Sequence, residues 1–239
     1  MTSPGGGVDA VIFDWGGTLT RWHDVDFHAE SMALAQAVRG ARDDDHPVNA
    51  PRLHEAGRIV WGWSRDEQRS ATIADLFDVA GLEHDTDLLS AYYEFWLPHT
   101  ETDPEVRPLL EGLRAAGIKV GVLSNTIWPR AWHVGFFERD GVAELIDGDV
   151  YTSEIPWTKP SPDAFGAAME AVGVSDPARC VYVGDRLYDD IWGAKNAGMR
   201  AIHIPHSLIP AEQAGHTEGA PDGVARSLSD VADLVAGWS

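Results

Sequence analysis

The chain has 239 residues, and its 18 basic and 38 acidic side chains give a formal net charge of −20 at pH 7. Such acidity excludes the basic surface by which proteins usually bind nucleic acids, because the whole chain repels polyanions. The single cysteine, Cys180, excludes a disulfide framework within the chain and favours a cytoplasmic location. No apolar run approaches the roughly 20 residues that span a membrane. Residues 1–7 predict a disordered leader rather than a signal peptide.

An apolar run over residues 8–13, interrupted only by Asp9, predicts the first strand. A run of this kind is typical of a strand that is buried on both faces of a parallel sheet. Asp14 follows it directly, and Gly16 and Gly17 allow the backbone to turn sharply beside a ligand. Since ligands of open α/β sheets bind at the carboxyl ends of strands, Asp14 is the first candidate site residue.

Residues 21–103 predict helices only, because apolar residues recur there at helical spacing and no second strand run occurs. These helices cover residues 27–38, 51–63, 70–80 and 87–96, and residues 42–47 form a charged loop. From Pro104 onward strands and helices alternate. Strands are predicted over 118–123, 148–151, 179–183 and 201–204, and helices over 105–116, 129–139, 163–172, 190–197 and 229–236.

This alternation predicts an α/β fold, a doubly wound parallel sheet with an inserted all-helical cap domain. The predicted core comprises residues 1–20 and 104–239, and the predicted cap comprises residues 21–103. Asp14, Ser124 and Asp185 each follow a strand run, and Lys159 lies in a loop. Each of them alone has an ordinary explanation as a cap, turn or solvated residue. Because parallel strands end at one edge of the sheet, the four together indicate a single site.

Four segments, FDWGGTLT, VLSNT, TKPSPDAF and VGDRLYDDIWGAKNAGM, occur in that order. They resemble the four motifs of the haloacid dehalogenase-like hydrolase superfamily, and the helical insertion resembles a cap of the first type. The resemblance implies a Rossmann-like core and a Mg²⁺-dependent phosphatase that forms an aspartyl-phosphate intermediate. The expected partner is a small phosphorylated molecule, with neither nucleic acid nor membrane, and we expect a monomer or a homodimer.

The resemblance also implies roles for the motif residues. Asp14 matches the nucleophile, Asp185 matches the principal Mg²⁺ ligand, and Asp190 aligns better than Asp189 as a second acidic ligand. A hard cation is needed because the carboxylate and the phosphate repel each other unless a cation bridges them. The predicted sets are catalytic residues Asp14, Ser124 and Lys159; phosphate-binding residues Gly16, Gly17, Ser124, Asn125 and Lys159; and metal ligands Asp14, Gly16 (through its carbonyl), Asp185 and Asp190.

Gly16 departs from the family pattern, which has there a second aspartate that protonates the leaving group and then activates water. Loss of such an acid/base group typically slows a reaction by about 10²–10⁴-fold. One interpretation is a phosphatase that is slow or restricted to good leaving groups, such as acyl or aryl phosphates. His23 and Asp24 are candidate substitutes by position only.

Two alternatives stay open. One is a catalytically impaired protein of this fold that binds phosphate or metal; the lost acid favours it, and the retained Asp14, Ser124 and Lys159 disfavour it. The other is a carbon–halogen or carbon–phosphorus hydrolase. The acid-rich segment VGDRLYDD indicates a metal site, which a haloacid dehalogenase does not need, and residues 21–103 contain no lysine for Schiff-base chemistry.

Three residues of the insertion are candidates for substrate specificity: Arg58, Trp61 and Arg65. Arginine and tryptophan suit an anionic or ring-bearing substrate beneath a cap that closes over the site. The same residues equally suit a solvated helix face and a packed cap interior.

Overall fold

A computed structural model describes residues 7–205 and 219–238 of the chain. It contains a parallel sheet whose strands are β1 (Ala10–Phe13), β2 (Lys119–Ser124), β3 (Gly148–Tyr151), β4 (Cys180–Gly184), β5 (Arg200–His203) and β6 (Gly223–Val224). The strand order is β3–β2–β1–β4–β5–β6. Strand β1 is therefore central, and the order reverses between β1 and β4, where open α/β sheets bind their ligands.

The helices fall into two groups. Those inserted after β1 are α1 (Phe27–Ala35), α2 (His46–Glu67), α3 (Ile73–Ala80) and α4 (Ser90–Trp96). Those that alternate with the later strands are α5 (Val106–Ala115), α6 (Arg130–Arg139), α7 (Pro162–Ala171), α8 (Gly193–Asn196) and α9 (Ser229–Ala236). The molecule is thus an α/β core with a helical cap, as the sequence predicts.

Side chains of the central strand alternate between two hydrophobic layers. Val11 and Phe13 pack with apolar residues of α5, α6 and α9, whereas Ile12 packs on the other face with residues of α7 and α8. All four residues of β1 are buried, which explains why this strand is a continuous apolar run. Cys180 is fully buried in β4 as a free cysteine.

The chain enters and leaves the cap side by side. Thr20 and Thr102 form an antiparallel bridge, and Arg21 Nε donates to Asp103 Oδ2 at 2.8 Å. These contacts lie at the predicted limits of the two domains, and we propose the boundaries at residues 20/21 and 103/104. No described helix is long and apolar enough to cross a membrane.

Several elements differ from the prediction. Helix α2 begins at His46 rather than at Pro51, and it continues through Pro51 to Glu67. Pro47 lies in its first turn, where proline is tolerated. The chain before α8 starts helical at Leu187 as a π-helical turn, Leu187–Trp192, rather than at Asp190. The two-residue strand β6 was not predicted, since a strand this short has no periodic pattern.

Two glycines give a matched test of packing in the core. A Cβ added at Gly148 would lie 2.3 Å from the Ala171 carbonyl oxygen, whereas one added at Gly135, inside α6, would meet nothing within 4 Å. We expect Gly148→Ala to destabilise the protein by about 1–3 kcal/mol through overpacking. Gly135→Ala should stabilise it by about 0.5–1 kcal/mol through helix propensity. Urea unfolding measures both, and an unchanged free energy of unfolding for Gly148→Ala would contradict this packing.

Candidate active site

Three strand ends bring the predicted site residues to one edge of the sheet. Phe13 pairs with Val122 of β2 and with Val183 of β4, so Asp14 and Asp185 directly follow neighbouring strands and Ser124 ends β2. The Asp14 amide donates to the Val183 carbonyl at 2.9 Å, which extends the ladder to the candidate nucleophile. The expected convergence of these side chains therefore follows directly from the strand register.

Three carboxylates form the centre of this site. One ligand oxygen from each of Asp14, Asp185 and Asp190 lies within 4.8 Å of the others, and the three residues are 7%, 3% and 0% exposed. Both oxygens of Asp185 are buried and accept no hydrogen bond from any described residue. Buried carboxylates repel one another and need compensation, so this cluster requires cations.

Lys159 supplies one of these cations. Its Nζ donates to Asp14 Oδ1 at 2.6 Å, to Asp190 Oδ1 at 2.7 Å and to the Tyr182 hydroxyl at 2.9 Å, while the residue is buried. The Asn125 side chain fixes the lysine backbone, since its Oδ1 accepts from the Lys159 amide at 2.8 Å and its Nδ2 donates to the Lys159 carbonyl at 3.1 Å. Asn125 is thus placed to position Lys159, and its role in binding phosphate stays a prediction.

Burial and mutual repulsion shift the protonation of these groups. Burial raises the pKa of Asp14 to about 6, and the Lys159 ammonium opposes that rise. Burial raises the pKa of Asp185 well above its ordinary value, and the charges of Asp14 and Asp190 raise it further. Burial alone would lower the pKa of Lys159, but Asp14 and Asp190 raise it well above its ordinary value, so the lysine stays charged.

The donor set fits a divalent cation. Three carboxylates and one ammonium leave the cluster with a formal charge of −2, and all available donors are oxygens, which Mg²⁺ prefers. Asp185 has two unpartnered oxygens, and no described residue donates to Asp14 Oδ2. Asp190 is less free, because its oxygens accept from Lys159 and from the Arg186 amide. Asp14 and Asp185 are therefore the best-placed ligands.

The glycines of the site have different roles. Gly17 has φ +85°, and a Cβ there would lie 2.7 Å from Asp185 Oδ2, so only glycine allows this close approach. A Cβ on Gly184 would lie 2.4 Å from the Asp190 Cγ, because the π-helical turn brings that carboxylate onto the backbone of β4. A Cβ at Gly16 would meet no atom of residues 7–205 or 219–238 within 4 Å, so these residues leave open space there.

The cap contacts the loops that carry the site residues. Beyond α2, the Gln68 carbonyl accepts from the Thr158 amide at 3.0 Å, next to Lys159. The amide of Ile73, at the start of α3, donates to the Ile127 carbonyl at 3.1 Å, close to Ser124. Trp128 Nε1 donates to the hydroxyl of Tyr92 of α4 at 3.2 Å. The structure therefore shows the cap seated on the core, with the carboxylates shielded from solvent.

The candidate specificity residues lie elsewhere on the cap. Arg58 pairs with Glu55 and Arg65 with Asp66 on the exposed side of α2, and Trp61 is also exposed. No contact within the described chain joins these three residues to the carboxylates, and their role in specificity stays a prediction. His23 packs against His99, with ring centroids 5.2 Å apart, and Asp24 is exposed.

Three residues that sequence reasoning missed contribute to the site. Tyr182 bridges Lys159 and the Leu123 carbonyl, to which its hydroxyl donates at 3.0 Å. The guanidinium of Arg186 lies over the Trp22 ring, 5.8 Å from its centroid, and its charge opposes the rise in the pKa of Asp14. The hydroxyl of Tyr182 within an otherwise apolar strand was the one available signal. The fold and this cluster together are those of a capped α/β enzyme built around buried carboxylates.

Comparison with known proteins identifies the family. A family model described as a haloacid dehalogenase-like hydrolase matches residues 8–198. A glyceraldehyde 3-phosphate phosphatase of Methanopyrus kandleri is 32% identical over 220 residues, which cover 90% of this chain and 91% of that protein. The chain therefore belongs to the haloacid dehalogenase-like hydrolases, as its motifs predict.

Solved structures share the fold over almost the whole chain. A HAD phosphatase from Thermococcus onnurineus has a TM-score of 0.65 at 24% identity and covers 96% of this chain and 99% of its own. An L-2-haloacid dehalogenase from Xanthobacter autotrophicus has a TM-score of 0.61 at 21% identity and covers 97% and 100%. At these identities the likeness concerns the fold, which both chemistries use.

Asp185→Asn is expected to stabilise the metal-free protein at pH 8 by about 1–3 kcal/mol, because it removes a buried, uncompensated charge. The folded state holds the Asp185 proton more tightly than the unfolded chain, so ionisation opposes folding as the pH rises above about 4. The gain should therefore disappear as the pH is lowered to 4. Thermal unfolding in EDTA between pH 4 and 8 measures it, with the exposed Asp44→Asn as control.

The same pair of variants tests the cation site. Mg²⁺ at 100 times its dissociation constant should stabilise the wild type by about 2.7 kcal/mol and leave Asp185→Asn unchanged. An equal response of both proteins to Mg²⁺ would show that the ion binds elsewhere.

Proposed function

We propose that the protein is a Mg²⁺-dependent phosphatase that attacks a small phosphorylated metabolite through Asp14 and forms an aspartyl-phosphate. The observation that carries this proposal is the buried cluster in which Lys159 joins Asp14 to Asp190 while Asp185 stays unpartnered. Relatives named as phosphatases support it. The glyceraldehyde 3-phosphate in one of those names belongs to that protein, and the substrate here is proposed only as a phosphate ester or acyl phosphate.

Each residue of the site has a separate role in the proposed reaction. Lys159 donates to one oxygen of Asp14 and so fixes the orientation of this carboxylate, while its charge offsets that of the incoming phosphate. Ser124, at the end of the neighbouring strand, would donate to a phosphoryl oxygen. The cap excludes water from the carboxylates, which strengthens these electrostatic interactions. Mg²⁺ held by Asp14 and Asp185, with the Gly16 carbonyl and Asp190 as further candidates, would neutralise the repulsion between carboxylate and phosphate.

Gly16 determines which substrates suit this site. Without a carboxyl group at this position, the leaving oxygen receives no proton from the residue that usually supplies it in this family. Substrates whose leaving group is stable as an anion, such as aryl and acyl phosphates, would therefore react best. The carboxylate cluster favours this function over the dehalogenase chemistry of structures with the same fold, since that chemistry needs no cation. It also favours an active enzyme over a binding protein, because the other motif residues are present.

Asp14→Asn is expected to abolish Mg²⁺-dependent release of phosphate from 4-nitrophenyl phosphate and acetyl phosphate, because the amide cannot act as the nucleophile. Phosphate release is measured with and without Mg²⁺, and mass spectrometry of the quenched wild type should locate a phosphoryl group on Asp14. Turnover in Asp14→Asn equal to that of the wild type would remove Asp14 from the mechanism. Chloride release from 2-chloropropionate without phosphatase activity would support a dehalogenase instead.

Gly16→Asp is expected to raise kcat/KM for alkyl phosphates by about 10²-fold, because a general acid typically contributes 10²–10⁴-fold. The described part of the chain leaves room for the side chain, since a Cβ at this position meets none of its atoms within 4 Å. Gly16→Asn, which has the same size and no transferable proton, is the matched control. If both variants leave the rate on alkyl phosphates unchanged, the acid is supplied by another group.

A further inference from the structure

The guanidinium of Arg186 is a second cation beside the described carboxylates. No residue of the described chain accepts a hydrogen bond from it, and the nearest carboxylate oxygen paired with it is Asp189 Oδ2, 3.8 Å away. The Arg186 side chain is partly buried beside the site, and 34% of its surface is exposed to solvent. A guanidinium is planar and has five N–H donors. Beside this site it suits an oxygen on which negative charge develops during a reaction.

Trp22 determines where this guanidinium lies. The Arg186 Cζ is 5.8 Å from the centroid of the Trp22 ring. The same ring lies against the glycine turn, since its Cε3 is 3.5 Å from the position that a Gly17 Cβ would take. Arg186 also directly follows Asp185 in the chain. Trp22 thus contacts both the guanidinium and the glycine turn of residues 16 and 17, where the usual acid is absent.

We propose that Arg186 is a catalytic residue that stabilises the departing oxygen of the substrate as an anion, in place of the proton that a carboxyl group at position 16 would give. This proposal rests on the phosphatase function proposed above. A positive charge aimed at an oxygen where negative charge develops lowers the barrier in a site shielded from water. Unlike an acid, arginine does not give up its proton, so it favours oxygens that are stable as anions.

The reaction balances without a general acid. An oxygen of Asp14 forms a bond to phosphorus, the bond from phosphorus to the leaving oxygen breaks, and its electron pair stays on that oxygen beside Arg186. The released anion takes its proton from solvent. Water then attacks the phosphorus of the aspartyl-phosphate, the bond to Asp14 breaks and the carboxylate returns. Inorganic phosphate leaves with both protons of that water and exchanges them with solvent. The substrate class that fits is therefore a phosphorylated phenol or carboxylic acid rather than a phosphorylated alcohol.

Arg186→Gln is tested with a series of aryl phosphates that differ in the pKa of the leaving phenol. We expect kcat/KM to fall less than about 10-fold for the most acidic phenol and about 10²–10³-fold for the least acidic, as for the loss of an oxyanion-stabilising group. The dependence of rate on leaving-group pKa therefore becomes steeper. Arg186→Lys, which keeps the charge, should restore part of the loss, and Arg107→Gln, on the surface of α5, is the matched control.

Two further measurements separate this role from a structural one. In Arg186→Gln the steady-state level of aspartyl-phosphate should fall, because its formation slows while its hydrolysis does not. In the Gly16→Asp background the effect of Arg186→Gln on poor leaving groups should shrink to within about threefold, since a proton replaces the charge. If Arg186→Gln slows every member of the series equally, the proposed role of Arg186 is overturned, whereas the phosphatase function is not. A wild type that hydrolyses no member of the series would overturn the phosphatase function and this role together.

Discussion

The placement of three buried carboxylates around one lysine is the constraint on which the rest of the structure depends. Asp14, Asp185 and Asp190 would repel one another strongly in this enclosed position, and Lys159 compensates only part of that charge. The remaining negative charge favours a bound cation. The strand register brings the carboxylates together, and glycines at positions 17 and 184 allow carboxylates to lie against the backbone.

The lysine is held from two sides. From the core, Asn125 binds its backbone and Tyr182 binds its ammonium group. From the cap, the end of α2 binds Thr158, the residue before it. Seating of the cap and placement of the lysine are therefore joined in one network of hydrogen bonds. A substrate that enters this site meets a charge arrangement that the fold has already organised, which is the usual source of electrostatic catalysis.

The sequence allows the framework to be predicted because the framework depends on local patterns. Apolar runs that end at Asp14 and Asp185 identify strand ends, and parallel strands share an edge, so the cluster follows from chain order and topology. The π-helical turn and the extension of α2 through Pro51 were not predictable, since tertiary packing overrides the local signals there.

Contacts between distant residues were also beyond prediction. The bonds of Asn125 to Lys159 and the stacking of Arg186 on Trp22 join residues 34 and 164 positions apart along the chain. No periodicity or spacing records such a pairing, because the side-chain directions depend on loops with no regular pattern. The missing carboxyl group at Gly16 is visible in the sequence, whereas the contact of Arg186 with Trp22 is visible only in the folded chain.

The central claim is that the unpartnered oxygens of Asp185 and the second oxygen of Asp14 share a cation. A crystal structure of the wild type grown with Mg²⁺, with anomalous data from crystals grown with Mn²⁺ in its place, tests it most directly. We expect one ion bound by both carboxylates, with the Lys159 ammonium still on Asp14. A cluster that binds no ion at saturating Mn²⁺, or an ion that contacts neither Asp14 nor Asp185, would contradict it.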